Sequence, residues 1–314
     1  MTDKRKIGII VFKAVIVAVA WIYVGYKISS YNISFDKLRS FSFSAFQTVE
    51  FFTVLILMIC NWSVEAKKWQ YSLHSITNIS FGKSFQAVLS GTTVGIISPN
   101  RTGEPFGRAS HLDAGFRQEA ISAGIICSLG QFTATVLAGC WALPFYSNQQ
   151  QLFSNNYESF ALAIVGTCIM LFLYFNSNHL DTLLKKLPFI NRFTLFGNHF
   201  QKSSKFDLFT ILLYSGIRYS IFLLQFFLIL QVFAIDISFS HCCVAVSMIY
   251  FVTTLIPTTT LAELGVRCSS SVYFIGLYCN KPLLIVVASM VLWLINVSVP
   301  AIIGSIFYLP WFKK

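Results

Sequence analysis

The sequence predicts an all-α fold: a polytopic integral membrane helical bundle of about six full spans plus two re-entrant hairpins entering from opposite faces, an arrangement resembling an inverted repeat. Three observations lead there. Of 314 residues, 55% are hydrophobic and 11% charged, whereas soluble domains carry roughly 25% charged residues. Apolar runs at or near the ~20 residues that cross a bilayer as helix recur along the whole chain. Two of these runs end at a proline followed by charged residues, Ser98-Pro99-Asn100-Arg101-Thr102-Gly103-Glu104-Pro105-Phe106-Gly107-Arg108 and Ile256-Pro257-Thr258-Thr259-Thr260-Leu261-Ala262-Glu263-Leu264-Gly265-Val266-Arg267. Broken helices with charged tips in both halves of a membrane chain are a pointer to a transporter-type site. The chain, 1–314, is read as a single membrane domain.

The apolar segments fall at 7–26, 46–64, 84–97, 118–145, 159–175, 207–233, 241–256 and 283–309, with a shorter one at 268–280. Segment 7–26 follows Lys4, Arg5 and Lys6. It is too long for a signal-peptide core and lacks a small-x-small cleavage site, so it reads as an anchor. Basic residues then separate the loops. Lys67, Lys68 and Lys83 follow the second segment, Lys185, Lys186, Arg192, Lys202 and Lys205 fill 176–206, and Lys313 and Lys314 come last, whereas 146–158 and 234–240 carry no Lys or Arg. By the positive-inside rule the N-terminus, 65–83, 176–206 and the C-terminus are cytoplasmic. The 27–45 loop lies outside despite Lys27, Lys37 and Arg39. Only one full span then fits between 65–83 and 146–158, so 84–97 and the stretch after Pro99 form a hairpin from the cytoplasmic face. The same bookkeeping makes 241–256 and 262–280 a hairpin from the other face. Non-helical backbone at such depth requires protein or water around it.

A net charge of +11 does not mark a nucleic-acid binder here, because the basic residues sit in short inter-helix loops that set orientation. The eight cysteines lie in or beside apolar segments without C-x-x-C or Cys/His spacing, and read as small packing residues. His74, His111, His179, His199 and His241 are scattered, and no P-loop, H-E-x-x-H or G-x-S-x-G is present. No metal or cofactor is expected, and no catalytic residue.

At the first tip Pro99 ends a helix and Pro105 suits the first turn of the next. Arg101, Glu104 and Arg108 are spaced to share a helical face. Two guanidiniums at a helix start favour an anion, and Arg matches the planar oxygens of phosphate. Glu104 either orients that site or simply neutralises an arginine. At the second tip Glu263 is either a capping-box residue to Thr260 or a site residue paired with Arg267. Arg218 stands near the middle of 207–233. Mid-span arginine is costly enough that it should face the interior, towards Glu50, another carboxylate or a substrate phosphate. Lys13 reads as snorkelling to the near surface. Gly91-x-x-x-Gly95 and Gly103-x-x-x-Gly107 fit close helix approach.

The pattern P-x-R-x-G-E-x-x-x-R over Pro99–Arg108, with a later proline break leading to Glu and Gly-x-Arg, resembles the transmembrane region of lysylphosphatidylglycerol synthases and the stand-alone membrane proteins grouped with it. The second motif departs from that pattern: Thr258-Thr259-Thr260 stands where a glycine-rich turn is expected. The resemblance implies a module that moves phospholipid between leaflets. The aminoacyl-transferase domain of the bifunctional members does not follow within these 314 residues, so lipid lysinylation is not expected of them. The combined expectation is a non-enzymatic protein of the inner (cytoplasmic) membrane, both termini cytoplasmic, binding and flipping an anionic phospholipid or lipid-linked intermediate. Arg101 and Arg108 would hold the phosphate, Glu104 would orient them, and Arg218, Glu263 and Arg267 would complete a midplane pocket. The alternative is a component or enzyme of lipid-linked sugar metabolism. A third reading makes the charges purely structural. The partners expected are membrane lipid with an anionic headgroup and no nucleic acid, with a homo-oligomer or a lipid-synthesis enzyme left open.

Overall fold

Helix signals in the sequence act where they should. The computed structural model describes residues 26, 44–98, 101–151, 156–177, 203–256 and 260–308. Helix α1 (Ala45–Ser72) starts at a capping box, in which Ser44 Oγ accepts from the Gln47 amide at 3.2 Å and Gln47 Oε1 accepts from the Ser44 amide at 2.8 Å. Ser80 caps α2 (Phe81–Ile97), which stops at Ser98 because that residue turns extended, φ −101° and ψ 143°. The short α3 (Glu104–Ala109) has Pro105 in its first turn. A 3-10 turn, Ala114–Phe116, then leads into the long α4 (Arg117–Gln149). Helix α5 (Asn156–Phe175) and α6 (Lys205–Val232) follow, the latter with a Ser204/Asp207 capping box. Helices α7 (Phe239–Leu255) and α8 (Thr260–Gly276) form the second pair. Finally α9 (Pro282–Trp293) runs through a π turn, Leu294–Ser298, into α10 (Val299–Tyr308). All regular structure among the described residues is helical.

Five stretches of the described residues are long and apolar enough to cross a membrane: 45–72, 114–149, 157–175, 205–232 and 282–307. The expected 7–26 span apart from Tyr26, the breaks at Pro99 and Pro257, Thr258 and Thr259, and most of the 27–45 and 176–206 loops lie outside the described residues. One expectation is corrected. The segment 65–83 does not begin as a loop, because α1 continues to Ser72 with the side chains of Glu65 and Lys68 only 2% and 0% exposed. These charges neutralise each other inside the bundle, so they do not end the helix.

The two helix pairs point at one another. At one end of the bundle the Tyr71 hydroxyl donates to Asp207 Oδ1 at 2.9 Å, joining the end of α1 to the start of α6, and Ser84 Oγ near the start of α2 donates to the Ala66 carbonyl at 2.6 Å. At the other end Lys281 Nζ donates to the Ala234 carbonyl, Tyr278 Oη to Gln149 Oε1, and the Tyr146 and Tyr273 hydroxyls meet at 2.9 Å. Thus α2–α3 starts from the end where α6 begins, and α7–α8 from the end where α6 finishes. Thr93 Oγ1 to the Ala301 carbonyl (2.7 Å) and Ser90 Oγ to the Gly304 carbonyl (3.3 Å) lay α2 antiparallel along α10.

Two apolar clusters flank the tips. One gathers Phe226, Ile229, Ile249, Ile275 and Ile285 from α6, α7, α8 and α9, and the other Trp69, Leu73, Val88, Ala109 and Ala120 from α1, α2, α3 and α4. Within the first pair the glycines are sites of contact. A Cβ at Gly107 would stand 2.8 Å from the Gly91 Cα and 3.0 Å from the Ser90 carbonyl oxygen, so α2 and α3 meet backbone to backbone.

Candidate functional site

Arg101 joins the two pairs. It has a left-handed backbone, φ 55°, a conformation in which a branched or bulky residue is uncommon. It lies before α3 rather than on it, so the helical-face argument applies to Glu104 and Arg108 alone, and those two pair at 3.1 Å. From this position Arg101 Nη2 donates to both Glu263 oxygens at 3.3 and 3.4 Å, with Nη1 3.9 Å from Glu104 Oε1. Glu263 in turn accepts from Arg267 at 2.7 Å, one helical turn along α8. The Arg267 guanidinium lies over the Tyr250 ring, 5.2 Å from its centroid.

The chain of charges continues inward. Arg108 Nη1 donates to Glu65 Oε1 at 2.7 Å, and Arg218 Nη1 donates to Glu65 Oε2 at 2.5 Å. Arg218 Nε also donates to Asn61 Oδ1 at 2.8 Å, and Nη1 reaches Gln131 Oε1 at 3.4 Å. Its guanidinium lies 5.4 Å from the Trp62 ring and 5.3 Å from the Phe222 ring. Lys68 Nζ places its donors on Glu65 Oε2 (2.8 Å), the Cys127 carbonyl (3.2 Å) and Ser215 Oγ (3.3 Å). The carboxylate partner of Arg218 is therefore Glu65 and not Glu50. Glu50 lies 11 residues before Asn61 on α1, roughly 16 Å along the axis at helical rise.

All six residues singled out from the sequence, Arg101, Glu104, Arg108, Arg218, Glu263 and Arg267, fall in this one network. Sequence reasoning missed its hub, Glu65, together with Lys68, Asn61 and Gln131. A signal for three of these exists: Asn61, Glu65, Lys68 and Ser72 are spaced four, three and four apart, which puts a polar stripe on one face of an apolar helix. The Thr260 side chain, the other half of the suggested capping box, lies outside the described residues.

Two features of the electrostatics decide what the arrangement can do. Among the described residues, five cations (Lys68, Arg101, Arg108, Arg218, Arg267) face three carboxylates (Glu65, Glu104, Glu263), leaving two positive charges in excess. Exposure is also graded. The Arg101 side chain is 28% exposed and that of Glu263 17%, whereas Arg108, Glu65 and Lys68 are nearly sealed. An anion could therefore be met first at the tips and be held there by charge behind them, since uncompensated charge in a low-dielectric interior is costly. Among the described residues no group of three or more His, Cys, Asp and Glu could hold a metal, and the eight cysteines are free thiols.

The family model for the lysylphosphatidylglycerol synthase TM region matches residues 7–304. The chain belongs to this family. A lysylphosphatidylglycerol synthase TM region is an integral, multi-pass, lipid-related membrane module, which agrees with the apolar helices described above. Comparisons with curated proteins and with solved structures give no match.

Proposed function

We propose that this membrane module binds an anionic phospholipid or lipid-linked intermediate at the meeting point of the two helix pairs and carries its headgroup across the membrane. The observation that carries the reading is the excess of two positive charges, among the described residues, in a network that is accessible at Arg101 and closed behind it. Arg101 is the residue best placed to change partner. Its contacts to Glu263 are long, 3.3 and 3.4 Å, while Glu263 keeps a shorter bond to Arg267 at 2.7 Å. A phosphate arriving at Arg101 can replace the Glu263 contact without stranding either charge.

In this reading α2–α3 and α7–α8 are re-entrant hairpins entering from opposite faces, and the charged tips lie within the slab. Opposed entry gives each tip a route to one leaflet, as in transporters built from inverted repeats. Both termini lie in the cytoplasm, in a cytoplasmic (inner) membrane.

The test is lipid mass spectrometry of the purified protein and of its Arg101→Gln variant. Anionic lipid enriched over the bulk membrane in the native protein, and lost in the variant at unchanged melting temperature, is the expected result. Equal lipid content in both, or bulk composition in the native protein, removes the proposal.

A further inference from the structure

Glu50 is buried in the bundle yet stands outside the charge network. It is 7% exposed, and its Oε2 is buried without a hydrogen-bond partner among the described residues. Val54, about one turn further along α1, offers its carbonyl to Gln225 Nε2 of α6 at 3.0 Å, while the buried Gln225 Oε1 has no donor either. Both orphaned atoms are acceptors, so what this part of the α1–α6 seam lacks is a hydrogen. Charged neighbours are absent as well. Among the described residues, α6 from Gln225 to its end, α9 and the π turn contain no Asp, Glu, His, Lys or Arg. The titratable members of the apolar cluster around Val54 are tyrosines and cysteines, Tyr219, Tyr250, Cys242 and Cys268 among them, types that are largely uncharged at neutral pH. Helices α2 and α4 meet the other half of α1, through Ser84 on the Ala66 carbonyl and the Cys127 carbonyl on Lys68. Arg218, further along the same face, is held by Asn61 and Glu65.

We propose that Glu50 is a proton-binding site, loaded and emptied from the end of the bundle where α6 finishes, and that its proton must be present for the bundle to close around the charged tips. An isolated carboxylate charge inside protein is so costly that the group takes a proton instead, and the acid then donates where the seam offers only acceptors. Access is set by position. Glu50 is the first buried residue of α1, directly after the exposed Thr48 and Val49, so a proton enters or leaves past about one turn of helix. On the topology proposed above, that end faces away from the cytoplasm. On closing, a proton from that solution adds to a carboxylate oxygen, and on opening it returns to the same side. The link to the tips is α1 itself. Glu50 lies about three turns before Asn61 and within roughly 20° of it around the helix, on the face that carries Glu65 to Arg108 and Arg218. This second half of the proposal rests on the lipid function above, and the proton site does not.

The experiment is infrared spectroscopy of the purified full chain and its Glu50→Gln and Glu50→Asp variants, followed by reconstitution. At pH ~7 ordinary carboxyl groups are ionised, so native protein should show the carbonyl stretch of a protonated carboxylic acid. Glu50→Gln should lose that band, and Glu50→Asp should keep it at a shifted frequency, which separates loss of the acid from loss of the fold. In vesicles of phosphatidylglycerol and phosphatidylethanolamine, translocation of labelled phosphatidylglycerol by native protein should change several-fold between pH ~6 and pH ~8. Glu50→Gln, fixed in the neutral form, should translocate at one rate across that range. No such band in native protein, or an unaltered band in Glu50→Gln, overturns the proton site. A variant that keeps the native pH dependence overturns the coupling. Native protein that translocates no lipid at any pH removes the proposed function and with it the coupling, and the infrared band then decides the proton site alone.

Discussion

Removing the charge of Glu65 should have the largest effect of any single substitution in the chain. Glu65→Gln keeps the shape of the side chain and one acceptor oxygen, but turns an −NH2 towards one of three cations that now sit at 2.5–2.8 Å from the carboxylate. With the Glu65 side chain only 2% exposed, little solvent is present to screen what is left. Breaking a buried ion pair by removing one partner costs about 3–5 kcal/mol. Here the lost charge serves three partners, so the upper end of that range applies, or on the order of 10 °C in melting temperature. The assay is thermal unfolding of the purified protein in detergent, followed by fluorescence-detected size exclusion. A double-mutant cycle makes it specific. Glu65→Gln with Lys68→Met removes one cation along with the carboxylate, and should be more stable than the sum of the single changes by more than about 1 kcal/mol. A Glu65→Gln protein that melts with the native one, or strict additivity in the cycle, would refute the ionic hub.

Other outcomes follow from the same geometry. Arg101→Lys should leave the melting temperature within about 1–2 °C of native, because the pairs it loses are long and partly exposed, yet weaken anionic-lipid binding several-fold through loss of the guanidinium fork. Arg108→Lys cannot bridge Glu65 and Glu104 as the fork does, and should lower stability by roughly 2–3 kcal/mol in the same unfolding assay. Gly107→Ala forces α2 and α3 apart at the Gly91 backbone and should cost about 1–3 kcal/mol. Gly216→Ala on α6 meets open space, and should be neutral or stabilising by up to ~1 kcal/mol. In a background without native cysteines, cysteine at the exposed positions Asn148 or Ser238 should react with an impermeant reagent on intact cells, and at exposed Lys83 only after lysis.

Much of the helix pattern was legible because hydrocarbon leaves few ways to write a span. The expected segments 118–145, 207–233 and 241–256 became Arg117–Gln149, Lys205–Val232 and Phe239–Leu255. Serine caps at Ser204 and Ser238 sharpen the last two starts, as Ser44 and Ser80 do those of α1 and α2. The six charged residues were legible for the same reason, since an arginine such as Arg218 in the middle of an apolar run has few places to go. What stayed hidden depended on pairing across the bundle. Glu65 and Lys68 stand beside Lys67 at the end of an apolar run, and by local composition the three read as a loop. Only the approach of α3 and α6, which brings Arg108 and Arg218 to the same carboxylate, makes burial of Glu65 affordable. Such long-range compensation leaves little trace in local sequence. Its one local sign is the stripe from Asn61 to Ser72, which demands that helical period be tested through the charges rather than stopped at them.

The measurement that bears most directly on the central claim is lipid translocation in sealed vesicles reconstituted with the native protein, Arg101→Gln or Glu263→Gln, using a headgroup-labelled anionic lipid and a membrane-impermeant quencher. Native protein should expose inner-leaflet lipid to the quencher well above the rate of protein-free vesicles, and both variants should fall towards that background while remaining folded and inserted. Native protein that leaves the lipid as protected as empty vesicles do, or variants that translocate at the native rate, would contradict a role for the charged tips in moving lipid.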